Sequence, residues 1–279
     1  RFLPDHDRVV TFFFIGPGYQ VARRPRYLVE FRKERIGARS HLAVLAVYDP
    51  VILVYGFAAD QLLAQRSQRL FGLTGESTAE SLDPATYGTG VSNHFMVGAI
   101  GNCLAEVDHN GEVIPELAES WETSPGADVW TFRLRRDVTF HNGKSLTTDD
   151  VIASINHHRG EDTKSAGKSL LKAVTEIRKV DDRTVVFELG SGNADFPYVL
   201  SEYFFIIFPS KDGRCDWKSG VATGGYKLTE FEPGVRYVGE RNPDYWKEGR
   251  AHFDKVELVP LADQATRTNA LMTGEVDCI

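Results

Sequence analysis

The chain has few cysteines and no excess of positive charge. Cys103, Cys215 and Cys278 lie far apart, in no CxxC pair and with no Cys/His spacing that would hold zinc. A disulfide between two of them would need an oxidising compartment, and its pairing cannot be read from spacing; buried unpaired thiols fit the sequence equally well. The net charge of −7 argues against a nucleic-acid partner, because phosphate binding needs a basic face. HExxH, Walker, GxSxG and kinase patterns are also missing. Gly190-Ser191-Gly192 lacks the third glycine of a dinucleotide loop and reads as a turn. His157-His158, near Glu161-Asp162, is a poor metal site because adjacent helical side chains point about 100° apart. These residues read as solvated groups at a helix end. Asp149-Asp150 and Asp181-Asp182 have no neighbouring base or nucleophile, and read as a helix cap and a turn. Neither a cofactor, a metal nor a catalytic residue is expected. Internal repeats and low-complexity tracts are absent too.

With 279 residues the chain can bury a sizeable core and hold two domains. Its first part does not fit the rest. Phe12-Phe13-Phe14-Ile15 precedes a basic run from Arg23 to Arg39, then an apolar stretch from Leu42 to Ala59 broken at Asp49-Pro50. That is a faint version of a secretory leader, too interrupted for a transmembrane helix. Residues 1–68 remain unassigned. A leader or an out-of-frame upstream extension is favoured over an extra subdomain, and much of the segment is then expected to pack poorly.

Order begins with Arg69-Leu70-Phe71-Gly72-Leu73-Thr74, which reads as a strand. The most informative stretch runs from Ile114 to Val151. Trp130, Phe132 and Leu134 alternate with Thr131, Arg133 and Arg135, the period of a strand with one buried face. Val138 and Phe140 continue it. Asn142-Gly143 then closes a turn. Thr147 starts a helix, with Asp150 three residues on completing a capping-box-like pair, and Val151, Ile152 and Ile155 supply the helix's apolar side.

Elsewhere a helix is expected over residues 88–104, then a short strand 104–107 closed by Asp108-His109-Asn110-Gly111. Residues 172–180 and 184–189 form a hairpin about Asp181-Asp182. A helix over 196–203 precedes Phe204–Phe208, a fully apolar run expected to be a strand buried on both faces. Residues 226–231 and 235–240 flank Pro233-Gly234 as a second hairpin. Residues 254–260 read as a strand, 263–273 as a helix stopped by Gly274, and 275–277 as a strand. Trp121, Trp130, Tyr245 and Trp246 are expected in the core rather than stacked on a ligand.

Ile114-Pro115-Glu116-Leu117-Ala118-Glu119-Ser120-Trp121-Glu122, the Trp130–Gly143 stretch and Leu146-Thr147-Thr148-Asp149-Asp150-Val151 together resemble the signature segment of the extracytoplasmic solute-binding proteins of family 5, the peptide and nickel uptake class. Ser81–Tyr87 and Asn242-Pro243-Asp244-Tyr245-Trp246 resemble further elements of that family. The resemblance covers roughly residues 69–279 and the N-terminal half of a whole binding protein. It implies a mixed α/β, periplasmic binding protein-like II fold, truncated. Residues 69–82 and 204–279 would form part of lobe I, residues 83–203 an inserted domain II, and lobe III would be absent.

It further implies a periplasmic or membrane-associated monomer that captures peptides or similar small solutes between moving lobes for an ABC permease, without catalysis. Alternatives are a truncated lobe with no competent cleft and a hydrolase of unrecognised type. Two glycine-rich loops are the candidate ligand wall: Tyr87, Gly88, Thr89 and Gly90, and Thr223, Gly224, Gly225 and Tyr226. The second resembles a family loop in which proline is usual at the position of Gly225, so this turn is expected to be more flexible.

Overall fold

A computed structural model describes residues 29–30, 44–48, 51–55, 69–74, 80–87 and 95–279. Much of the unassigned segment, and with it the expected poor packing, lies outside the described residues. Within it, strands β1 (Val29–Glu30), β2 (Val44–Tyr48) and β3 (Val51–Tyr55) form an antiparallel sheet in that order. The apolar stretch read as a faint leader thus contains two antiparallel strands, paired from Val44 with Tyr55 to Tyr48 with Val51.

Strand β4 (Arg69–Thr74) pairs in parallel with a strand nearly 190 residues later in the chain, residues 255–260. Between them come β5 (Ala105–Val107) and β6 (Val113–Pro115), a two-stranded ribbon, then β7 (Ala118–Thr123) and β8 (Val129–Leu134). Trp130, Phe132 and Leu134 are buried while Val129 and Arg133 are exposed, the alternation of a one-faced strand. Val138 and Phe140 are buried as expected. They lie in a tight return rather than in a long strand, with Phe140 N donating to Lys144 O and Gly143 at φ 84° between them.

Helix α1 (Thr148–His157) starts at Thr147, whose N–H donates to Asp150 Oδ2 at 2.8 Å. The hydroxyl of Thr147 donates to the same oxygen at 2.9 Å. Asp150 is fully buried and its Oδ1 accepts from Ser210 N at 2.6 Å and from Lys144 Nζ. One carboxylate therefore caps the helix and ties it to a segment sixty residues away.

Strands β9 (Val174–Asp181) and β10 (Thr184–Leu189) form the expected hairpin and complete a sheet of order β7-β8-β10-β9. Phe132, Phe187 and Phe196 pack against one another on its inner face, with ring centroids 5.3–6.3 Å apart. The helix expected over 196–203 shortens to α2 (Phe196–Val199), followed by a 3-10 turn at Tyr203–Phe205. Residues 206–208 are buried as expected but are not a strand. Ile207 N donates to Asn102 O, Phe208 N donates to Ser154 Oγ, and Ser154 Oγ donates to Phe208 O. A side chain of α1 and an irregular backbone segment satisfy the peptide groups that a ladder would otherwise pair.

After β11 (Ser210–Lys211) and β12 (Arg214–Cys215) come β13 (Tyr226–Glu232), β14 (Arg236–Arg241) and β15 (Lys255–Pro260). With β4 they form a second sheet of order β13-β14-β15-β4. Helix α3 (Gln264–Thr273) is capped by Asp263, whose carboxylate accepts from Thr266 N at 2.7 Å, and ends at Gly274. Residues 275–277 form no strand; instead Cys278 makes a single parallel bridge to Gly72.

The helix expected over 88–104 is described from Phe95 only. It is π-helical over Met96–Ile100 and stops at Gly101, where φ −130° and ψ 171° turn the chain extended, so residues 101–104 are not helical. All three cysteines are free thiols, and burial pushes the thiols of Cys215 and Cys278 up to about 12.

Candidate functional site

The Thr223–Tyr226 loop enters β13, and every one of its residues is buried. Gly224 N donates to Ile100 O at 2.8 Å, so the loop lies directly on the end of the π-helical turn. A Cβ at Gly224 would sit 2.5–2.6 Å from backbone atoms of Ala99 and Ile100, which only glycine avoids. On its other side Gly224 O accepts from His141 Nε2 at 2.9 Å and Asn242 Nδ2 at 3.3 Å. His141 Nδ1 accepts from Ala222 N at 3.4 Å. A neutral imidazole carrying its proton on Nε2 satisfies both contacts, and burial holds the pKa of His141 below its ordinary value. Asn242 N donates to Gly225 O at 2.8 Å, and Tyr226 Oη accepts from Phe253 N at 3.1 Å.

Gly225 was expected to loosen this turn. The bond from Asn242 and close packing counter that: a Cβ here would lie 2.9 Å from Ala251 Cβ and 3.3 Å from the Tyr245 ring. Ala251 itself has φ 56°, unfavourable for a residue with a Cβ. Gly225→Ala should therefore cost about 1–3 kcal/mol. Ala251→Gly removes both the facing methyl and the positive-φ strain, and should recover most of that loss. A double-mutant cycle by urea denaturation checks the coupling, and additive effects would contradict the contact.

Beneath the loop lies a polar cluster. Thr223 Oγ1 donates to Asn102 Oδ1 at 2.9 Å. Asn102 Nδ2 in turn donates to Glu116 Oε1 at 2.8 Å and to Tyr245 Oη at 3.2 Å. Glu116 Oε2 accepts from Cys103 N at 2.9 Å. Lys247 Nζ donates to Glu116 Oε1 at 2.8 Å and to Glu106 Oε2 at 2.5 Å. Burial pushes the Glu116 carboxyl upward, and Lys247 opposes that push. For Lys247, burial acts to lower the pKa but is outweighed by Glu116, Tyr245 and Glu106, so its ammonium is held well above the ordinary range. Two cations lie over the Trp246 ring, Arg135 at 5.0 Å and Lys247 at 5.1 Å from its centroid.

Tyr87 is buried and its hydroxyl donates to Leu82 O at 3.2 Å. Gly88, Thr89 and Gly90 lie outside the described residues. Trp130 is buried, while Trp121, Tyr245 and Trp246 are half-buried. The sequence reading missed His141, Glu116 and Asn242 as loop supports, although all three stand inside the motifs it quoted. Asn102 and Lys247 carried no signal, because their partners are 121 and 131 residues away.

Of the two histidines read as solvated, His157 is half-buried at the end of α1 and His158 is not solvated at all. His158 is fully buried, with Nδ1 2.7 Å from Ser165 Oγ, and His157 Nε2 lies 2.6 Å from Asp83 Oδ1. Among the described residues no group of three or more His, Cys, Asp or Glu is placed to hold a metal ion. Nor is any described helix long and apolar enough to cross a membrane.

Residues 112–279 match the family model for bacterial extracellular solute-binding proteins, family 5 Middle. Di/tripeptide-binding protein 2 of Pseudomonas aeruginosa is 28% identical over 251 residues, covering 80% of this chain and 47% of the relative. The periplasmic oligopeptide-binding protein OppA of Escherichia coli is 28% identical over 230 residues, covering 72% of this chain and 41% of the relative. Among solved structures, AgaA of A. tumefaciens R10 in complex with agropinic acid aligns with a TM-score of 0.66 at 30% identity, over 75% of this chain and 43% of that one. DppA of Helicobacter pylori in complex with the peptide STSA aligns with a TM-score of 0.63 at 27% identity, over 75% and 45%. The chain spans less than half the length of these relatives. The mixed helix-and-strand fold is that of the periplasmic binding proteins of this group. Through the matched model and the motifs that converge on the 223–226 loop, the chain belongs to the bacterial extracellular solute-binding proteins of family 5.

Proposed function

We propose that this chain is part of the substrate-binding component of an ABC importer, which captures peptides or similar small solutes outside the cytoplasm and passes them to a membrane permease. The observation that carries this is the family match over residues 112–279, joined to relatives named as di-, tri- and oligopeptide binders. No chemistry is assigned to the subunit. Residues 69–82 and 204–279 are read as one lobe and 83–203 as a domain inserted in it. Two arrangements support that division: β4 pairs with β15 across the intervening chain, and that chain carries a four-stranded sheet of its own.

In this reading the turn ending at Tyr87 with Gly88, Thr89 and Gly90, and the Thr223–Tyr226 loop, lie by the ligand cleft. The rigid anchoring of Gly224 by Ile100, His141 and Asn242 fits a wall that must keep its shape while lobes move. A bound peptide would be held largely through its backbone, as an added strand.

The test is calorimetric titration of the full-length protein, from its own complete reading frame, with a panel of di-, tri- and tetrapeptides. A nickel–histidine chelate and an opine serve as competitors. Saturable one-to-one binding of peptides at micromolar Kd or below is expected. Binding of the chelate or the opine alone would overturn the peptide assignment, and hydrolysis of any peptide would overturn the non-catalytic one.

A further inference from the structure

Two turns of this protein carry the same tripeptide, His109-Asn110-Gly111 and His141-Asn142-Gly143. Their backbones match. Asp108 N donates to Glu112 O and Phe140 N to Lys144 O, each at 2.8 Å. Gly111 N donates to Asp108 O at 3.0 Å, and Gly143 N to Phe140 O at 2.8 Å. The glycines stand at φ 83° and 84°, and both Asn-Gly pairs are exposed. The turns differ in how the asparagine amide is held. Asn142 Oδ1 accepts from Lys144 N at 3.0 Å, which folds the carboxamide back over the Gly143 peptide. In the other turn the equivalent donor, Glu112 N, goes to Asp108 Oδ1 at 2.9 Å. Asn110 there donates twice to the same carboxylate, from N to Oδ1 at 2.8 Å and from Nδ2 to Oδ2 at 3.2 Å.

We propose that Asn142 is a site of spontaneous deamidation, selected over Asn110 by the fold. Gly143 N, after losing its proton to a solvent base, attacks Asn142 Cγ. The N–Cγ bond forms and the carbonyl electron pair moves onto Oδ1. The tetrahedral centre then collapses, the Cγ–Nδ2 bond breaks, and the nitrogen leaves as ammonia with a proton from water. Water opens the resulting five-membered imide at either carbonyl, giving aspartate or isoaspartate at position 142. Glycine suits the attacking position because no Cβ crowds its nitrogen. The negative charge of the first step develops on Oδ1, the atom at which Lys144 N–H already points. The Asn110 amide is polarised the other way. Its nitrogen donates to a carboxylate, its oxygen is without the donor two residues on, and the charge of Asp108 opposes a second anion beside it.

The glycine N–H must leave a backbone carbonyl before it can react, but that cost falls on both turns alike. The product matters because of its neighbours. His141 N donates to Ala222 O at 2.9 Å, and Lys144 Nζ reaches the buried Asp150 carboxylate. Isoaspartate lengthens the main chain between those two anchors by one carbon and adds a negative charge there. None of this depends on what the protein binds.

The experiment is peptide mapping by mass spectrometry of the full-length protein, aged in mildly alkaline buffer both folded and in urea. In the folded protein, amide loss at Asn142 is expected to run at least about fivefold faster than at Asn110, the rate equivalent of one hydrogen bond to the developing oxyanion. In urea the two sites should converge to within about twofold, because the reacting tripeptides are identical once the turns are lost. Asp108→Ala frees Glu112 N, so Asn110 in the folded variant should speed up towards the Asn142 rate while Asn142 itself stays level. Folded rates that are equal, a faster Asn110, an Asn142 that does not change, or a difference that persists in urea would each overturn the proposal, as would an unmoved Asn110 in folded Asp108→Ala. Should that variant not fold, the wild-type comparison decides by itself.

Discussion

Replacing Lys247 by methionine is expected to lower stability by about 3–5 kcal/mol, the usual cost of leaving one half of a buried ion pair uncompensated. The Lys247 side chain is 16% exposed and that of Glu116 only 8%. Methionine keeps most of the stem that packs beside Trp246 but removes the charge facing Glu116 and Glu106. Glu116 would retain two donors, Asn102 Nδ2 and Cys103 N. These are too few for a buried carboxylate that burial already biases towards its neutral form. Adding Glu116→Gln to Lys247→Met should therefore restore part of the loss, since it removes the buried charge while its single oxygen accepts from one of Asn102 Nδ2 and Cys103 N and leaves the other facing an NH2. The measurement is the urea midpoint at unchanged m value. A single-variant loss under about 1 kcal/mol would show that the cluster is solvated in the protein and that the ion pair behaves as a surface pair.

Asp150→Asn should cost about 2–3 kcal/mol, because a fully buried carboxylate with donors on both oxygens is replaced by a group with one acceptor and an NH2. Either Thr147 or Ser210 would then face a donor. The negative charge near the helix N-terminus, favourable to the α1 dipole, would also go. Thr147→Ala is the control. It removes one contact to Asp150 but leaves the Ser210 tether, so only about 1 kcal/mol is expected, typical of a cap. Equal effects of the two substitutions would mean that the carboxylate matters only to the helix, and that its link to β11 carries no stability.

The parts legible in the sequence share a physical character: they depend on neighbours a few residues away. Strand β8 shows in the alternation of Trp130, Phe132 and Leu134 with exposed partners, because one face meets the core. The start of α1 shows in Thr147 and Asp150, because the cap closes over three residues. The hairpins about Asp181-Asp182 and Pro233-Gly234 show for the same reason. The failures have the opposite character. Phe204–Phe208 looks like a buried strand, but burial alone does not select a ladder; Ser154 and Asn102 supply the hydrogen bonds from elsewhere. His157-His158 looks like a wet helix end, and only the contacts that the fold brings to it from Ser165 and Phe205 make His158 a buried ring.

By itself, the sequence determined the family, the mixed α/β class, the main hairpins and the capped helix, all of them carried by short-range periodicity, turn chemistry and contiguous motifs. Only the tertiary structure decided that Glu116, His141 and Asn242, scattered through those motifs, meet Asn102, Lys247 and the 223–226 loop in one buried hydrogen-bonded junction. Such a junction follows from satisfying polar groups that folding removes from water, and its partners are chosen by proximity in space, which no local pattern in the chain records.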